Sequence, residues 1–258
     1  MPKIDRIGET NINKYGSRMT IIQYNNSEDI LIQFDDGYIT HGQYVGFKKG
    51  NVSNPYDKSL FGVGYMGEGI YKSRDEEKLL TLTYKSWADM MMRCYDTNYQ
   101  ENNITYKNCE VCEEWHCFQN YAKWFDENYY KIDNEIMCLD KDILHKGNKI
   151  YSPENCVFVP KIINSIFVKA QNKRGKCCIG VTYRERNNSY EANCSYYDFD
   201  RKKCKRQYLG QHKTEIKAFQ AYKKFKENYI KQVADDYKDK IPQKLYDAMY
   251  RYEVEITD

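Results

Sequence analysis

Cys109-x-x-Cys112 has the spacing at which two thiolates share one zinc ion, and Cys94, His116, Cys117, Cys138 and Cys156 lie near enough in sequence to complete such a site. A second close pair is missing, because Cys177 and Cys178 are adjacent and cannot form the same knuckle. Structural zinc is therefore not expected, and free thiols packed beside Trp87, Trp115 and Trp124 account for these cysteines. Gly62-Val63-Gly64-Tyr65-Met66-Gly67 matches a dinucleotide fingerprint by letter, but no strand-helix-strand unit with an acid about 20 residues on follows it. It reads as a flexible connection, and no small-molecule cofactor is expected. Charge points instead to phosphate. The net charge is only +3, yet residues 171 to 231 hold 16 Lys and Arg against 6 Asp and Glu, a local +10 that leaves −7 for the remaining 197 residues. Positive charge gathered in one segment suits a phosphate-binding surface, with a solvated face as the alternative.

The elements that must position these residues fall into three stretches within an α+β chain. Residues 1–72 read as short strands forming a small β-barrel-like module, because TIIQY (20–24) and ILIQF (30–34) are β-branched runs separated by NNSED and followed by the turn DDGY. Residues 81–170 turn helical. Trp87, Met90, Met91 and Cys94 have helical spacing, as do Phe118, Tyr121, Ala122, Phe125 and Tyr129. Two apolar runs then flank Lys146-Gly147-Asn148, the second punctuated by Ser152 and Pro153, which predicts a hairpin followed by the helix KIINSIFVK. Residues 175–258 offer three alternating strands, CIGVTYRER, SYEANCSYY and KRQYLGQH, joined by turns at Asn187-Asn188 and Asp198 to Lys203. A helix with Ala218, Ala221, Tyr222, Phe225 and Tyr229 on one face follows, and QKLYDAMYRY closes the chain as a last helix. No run approaches the roughly 20 apolar residues of a membrane span, and MPKIDRIGET lacks the apolar core of a signal peptide. An intracellular protein with no membrane partner and with reduced thiols is expected.

The centre, over roughly residues 84 to 168, resembles phage and prophage proteins related to His-Asn-His (HNH) nucleases. The likeness is carried by Trp87, Met90, Arg93 and Cys94, by Val111-Cys112 with Trp115, and by Leu139-Asp140-Lys141-Asp142, Gly147-Asn148 and Tyr151-Ser152-Pro153-Glu154-Asn155-Cys156. Such nucleases fold a ββα hairpin and helix around one divalent metal, which polarises the scissile phosphate while a histidine activates water. The resemblance implies that Asp140 and Asn155 hold magnesium or manganese, with Asp142 able to share it. Where active relatives carry the histidine base this chain has Lys141, which at an ordinary value near about 10.4 is protonated at neutral pH. His145 is the provisional base, with a phosphate contact or a plain turn role as its alternatives.

The C-terminal stretch resembles the Apetala/ethylene-response-factor type of DNA-binding domain through Gly180-Val181, Tyr183, Tyr190, Ala192, Tyr208-Leu209-Gly210, Thr214-Glu215, Ala218 and Ala221-Tyr222. In that family a three-stranded sheet enters the major groove and a helix packs behind it. The implied DNA contacts are Arg184, Arg186, Tyr190, Lys205, Arg206 and Tyr208. The turn at Asp198-x-Asp200 and the long lysine-rich helix depart from the pattern. The resemblances together imply a metal-dependent DNA endonuclease of nicking or homing type, in the cytoplasm of a bacterial host, with double-stranded DNA as partner. The alternative is a catalytically inactive DNA-binding regulator or an anti-defence protein acting on a host protein. An adaptor using the N-terminal module is a third possibility.

Overall fold

The computed structural model describes residues 5–168, 177–199 and 201–258. The junction at 170 to 175 between the second and third expected stretches lies outside these residues, as does Asp200 of the acidic turn. The architecture is mixed α+β and divides into two compact units, one of residues 1–127 with 150–152, the other of residues 128–149 with 153–258. This division passes through the stretch 81–170. In chain order the elements begin with β1 (Thr10–Ile12), β2 (Arg18–Asn26), β3 (Asp29–Phe34), β4 (Ile39–Gly42) and α1 (Tyr44–Lys48), then α2 (Leu82–Tyr95), α3 (Thr97–Asn102), β5 (Glu110–Val111) and α4 (Phe118–Asn128). They continue with β6 (Met137–Asp140), β7 (Ile150–Tyr151), β8 (Val157–Pro160), α5 (Lys161–Ile166), β9 (Val181–Arg184), β10 (Ser189–Asp198), β11 (Lys203–His212), α6 (Glu215–Asp236) and α7 (Gln243–Arg251).

In the first unit the β-branched runs form an antiparallel meander in the order β1-β2-β3-β4. Strand alternation turns Met19, Ile21, Ile30, Ile32 and Phe34 to one side, where Phe47 of α1 and Val52 complete a core. The chain after β4 returns to β1: Asn11 Nδ2 donates to the carbonyls of Phe47 and Lys48 at the end of α1, and Lys14 N donates to Gly50 O. The helical periodicity is also realised, with Trp87, Met90, Met91 and Cys94 of α2 buried beside Phe118, Tyr121, Ala122, Trp124 and Phe125 of α4. Tyr129 lies just past α4, and its ring meets Phe158 in the second unit's own fold. The glycine stretch at 62–67 is no loose connection. A Cβ at Gly64 would meet the Trp87 ring at 3.0 Å and Met91 at 3.1 Å, so the backbone here packs closely on α2 and a larger residue would press on both side chains.

In the second unit β6 and β8 form an antiparallel pair with Asp140 opposite Val157. The expected hairpin is thus formed by the first apolar run and only the end of the second. Ile150–Tyr151 leaves to pair in parallel with β5, and Ser152-Pro153 breaks the run before β8. The C-terminal sheet is antiparallel in the order β11-β10-β9. Helix α6 opens with Thr214 accepting from Lys217 N and Glu215 accepting from Cys178 N, a side-chain cap and a tie to the segment before β9. Its first half buries Ala218, Phe219 and Tyr222, the latter two clustered with Cys194 of the sheet. Its second half buries Tyr229, Ile230, Val233 and Ala234 among Val157, Val159, Ile163 and Ile166 of the hairpin and α5, with Leu245 and Met249 of α7. Among the described residues no helix is long and apolar enough to cross a membrane.

Ile230 is fully buried at the crowded end of α6, whereas Ile216 on its first turn is 60% exposed. Ile230→Ala is expected to destabilise the second unit by about 2–4 kcal/mol, and Ile216→Ala to stay within about 0.5 kcal/mol. Urea unfolding of the two variants checks this contrast.

Candidate functional site

Two groups of the sequence-selected residues are positioned by this fold. The first sits at the end of the β6/β8 ladder. Asp140 is the last residue of β6, and Asn155 lies two residues beyond its cross-strand partner Val157, so the pairing register carries both to the same end. Asp140 Oδ1 accepts from the backbone N–H groups of Asp142 at 2.9 Å and Ile143 at 2.8 Å, which turns the chain out of the strand. Burial, followed by repulsion from Asp142, raises the Asp140 carboxyl to about 6 in spite of those two N–H donors and of Lys141.

Lys141 is buried, 6% exposed, and its ammonium donates to Asn148 O at 2.9 Å and to Asp142 Oδ2 at 3.2 Å. Asn148 Nδ2 donates back to Lys141 O at 2.7 Å. These reciprocal bonds fasten the two ends of the 141–148 loop, with Gly147 at φ +81° completing the turn. The side chain in the base position therefore acts as a loop clamp. His145 is exposed on the same loop and its side chain makes no hydrogen bond among the described residues; its carbonyl accepts from Asn148 N at 3.0 Å. Asp142 is half exposed beside the Lys141 ammonium. Among the described residues no group of three His, Cys, Asp or Glu side chains is placed to hold a metal ion. Cys109 is buried and its thiol points to Thr105 O, and His116 Nε2 lies 3.0 Å from Val111 O.

The second group lies on the C-terminal sheet. Residues paired across strands share a face, and successive residues of a strand point to opposite faces. Ala192 and Cys194 are fully buried, Cys194 in the core shared with α6, so their partners Val181 and Gln207 lie on the helix side, as do Tyr196 and its partner Lys205. The opposite face carries Thr182, Arg184, Ser195, Cys204, Arg206 and Tyr208, all exposed. Of the six residues expected to meet DNA, Arg184, Arg206 and Tyr208 therefore share the outward face, and Arg186 joins them from the exposed turn after β9. Lys205 does not: it is adjacent to Arg206 and so alternates to the helix side, where it pairs with Asp198. Tyr190 also falls on the helix side, its ring 5.1 Å from that of its partner Tyr183.

A bulge sets this alternation. Glu191 pairs with Gln211 and Asn193 with Tyr208, so Leu209 and Gly210 both stand opposite Ala192. Gly210 takes φ +103°, which only glycine adopts readily, and this lets Leu209 turn into the core while Tyr208 stays 55% exposed. Asn193, opposite Tyr208, keeps a buried side-chain N–H₂ that has no hydrogen-bond partner among the described residues. Arg184 is paired with Glu191 at 2.8 Å, while Arg186, Arg201, Lys202, Lys203 and Arg206 form no ion pair among the described residues. Other cations of the basic segment are spent internally. Lys223 binds Glu227 and the Val254 carbonyl, and burial holds Lys226 below the ordinary lysine range.

Because the Asp140 carboxyl titrates higher in the folded chain than in the unfolded one, its charged form opposes folding. The penalty is absent below the unfolded value near 3.8, grows as pH rises through about 6, and is complete above it. Asp140→Asn keeps the oxygen that caps the turn, so in metal-free buffer it is expected to be more stable than the parent by about 1–3 kcal/mol near neutral pH. That advantage vanishes at pH values below the unfolded value. Thermal melts across pH check it, and a variant less stable than the parent at every pH would show that the charged carboxylate is favoured instead.

Compared with models of known protein families, with curated proteins and with solved structures, the chain matches none.

Proposed function

We propose that this chain binds double-stranded DNA through the outward face of its C-terminal sheet, in the manner of the Apetala/ethylene-response-factor type of domain. The observation that carries the reading is the outward row of Arg184, Arg206 and Tyr208, flanked by Arg186 and the hairpin-tip cations Arg201, Lys202 and Lys203. Arginine at such positions pairs with guanine edges or phosphates, lysine neutralises phosphate, and an exposed tyrosine adds apolar and hydrogen-bonding contact. Helix α6 packs behind the sheet and leaves this face to its partner. The N-terminal module, whose helix α1 ties the end of β4 back to β1, is a barrel-like accessory in this reading.

A second reading, an HNH-like nuclease using magnesium or manganese, is favoured by Asp140 and Asn155. They lie at one end of a ladder followed directly by α5, and an acid held against its own ionisation is a mark of functional sites. Asp140 would offer the carboxylate oxygen not used by the turn and Asn155 its amide oxygen. The bound ion would supply charge stabilisation at a phosphodiester. The clamped Lys141 supports the non-catalytic reading, since a buried ammonium bonded to Asn148 and Asp142 accepts no proton.

Arg184→Ala with Arg206→Ala is expected to weaken duplex binding about tenfold or more and to lower the salt slope by about 2, with the circular dichroism spectrum unchanged. Unchanged affinity and slope would place the binding surface elsewhere. For the second reading, supercoiled plasmid is incubated with magnesium or manganese beside Asp140→Ala and Asn155→Ala. Nicking lost in both variants supports it, and intact plasmid under either metal refutes it.

A further inference from the structure

Lys226 lies one turn beyond Tyr222 on α6, and both side chains border a partly open cavity of about 20 Å³ within the second unit. A single water needs about 10–15 Å³ of such space, so the cavity has room for a ligand of about two or three heavy atoms. Most of its wall is apolar, made by Ile166 and Phe167 at the end of α5, Ile179 ahead of β9, and Val254 after α7. The wall is held in place. The rings of Phe167 and Tyr252 meet edge to face at 4.8 Å, Val254 N donates to Glu227 at 2.8 Å, and Lys223 Nζ donates to Val254 O at 2.8 Å. Lys226 itself forms no ion pair among the described residues. Asp258, the acid at the cavity, already takes Lys146 Nζ at 2.8 Å and the backbone N–H of Glu255 at 3.0 Å. Burial therefore lowers Lys226 below the ordinary lysine range, with the Cys194 thiol opposing the shift. Burial also holds the Cys194 thiol and the Tyr252 phenol above their ordinary ranges, so both stay neutral at pH 7.

An amine that resists its proton in an apolar hollow keeps its lone pair for a carbonyl carbon, which is how desolvated lysines become Schiff-base nucleophiles. The wall favours a neutral product. Carbon dioxide would leave a carbamate anion against apolar side chains and near Asp258, whereas an aldehyde leaves a neutral imine and water. We propose that Lys226 is a nucleophile for small neutral aldehydes of one or two carbons, which condense with it inside this cavity. The amine nitrogen bonds to the carbonyl carbon, the proton it sheds passes to the carbonyl oxygen, and loss of water leaves the C=N bond. The Tyr252 hydroxyl lines the same cavity and is a neutral donor for that oxygen. The site does not rest on the DNA-binding reading.

The test incubates the full, unaltered chain at pH 7 with a limiting amount of acetaldehyde and with cyanoborohydride, which reduces the imine to a stable secondary amine. Peptide mass spectrometry then reads ethylation at each lysine. Lys224, exposed on the same helix, is the internal standard. Lys226 is expected to carry severalfold more label than Lys224. With benzaldehyde, too large for the cavity, the preference is expected to reverse, and in urea that unfolds the chain the two lysines are expected to label equally. Lys226 labelled no more than Lys224 by acetaldehyde overturns the site. A preference that persists with benzaldehyde or in urea overturns it as well, because it would not come from the cavity.

Discussion

The second unit depends on one stripe of side chains along α6. At 22 residues the helix is about 33 Å long, more than a three-stranded sheet needs for its backing. The surplus is used. Phe219 and Tyr222 pack with the sheet, and Ile230, Val233 and Ala234 pack with the β6/β8 hairpin, α5 and α7. One rigid element therefore fixes both regions that carry the candidate functional residues. The lysines that make the helix look basic are partly consumed in holding it, as Lys223 is by Glu227 and Val254.

That packing divides the charged residues into two kinds. On the helix side Lys205 is paired with Asp198 and Lys226 is held below the ordinary lysine range by burial, and on the outward face Arg184 is paired with Glu191, whereas Arg206 and the hairpin-tip cations Arg201, Lys202 and Lys203 form no ion pair among the described residues. The hairpin end shows the opposite economy. Asp140 is held partly out of water beside a second acid, at a cost to stability, while Lys141 closes the loop that follows. A histidine at 141 could not make the same three-donor ammonium clamp, so the residue that fastens this loop is also the one that removes the expected base. The proposed division of labour, DNA binding by the sheet with a hairpin retained chiefly as structure, follows from that exchange.

Much of the fold was legible because its signals are local. Strand alternation in TIIQY and ILIQF and helical spacing around Trp87 and Phe118 each report a buried face. What escaped was set by tertiary pairing. Nothing local tells Ile150-Tyr151 to leave the hairpin and join Glu110-Val111, and nothing in a glycine-rich string distinguishes a loose linker from Gly64 pressed on Trp87. The second half of α6 looked like an anomalous extension because its partner, the hairpin, is distant in sequence. For the sheet, alternation alone forbids adjacent Lys205 and Arg206 from sharing a face, but the bulge at Gly210 that fixes which of them faces outward appears only in the register.

The outward face is tested most directly by the amide and side-chain chemical shifts along β11 as a short DNA duplex is added. The DNA-binding proposal predicts an alternating pattern, with large changes at Arg206 and Tyr208, matching changes at Arg184 across the sheet, and small ones at Gln207 and Leu209. Changes confined to the helix side, or absent from all three strands while DNA is bound, would contradict it.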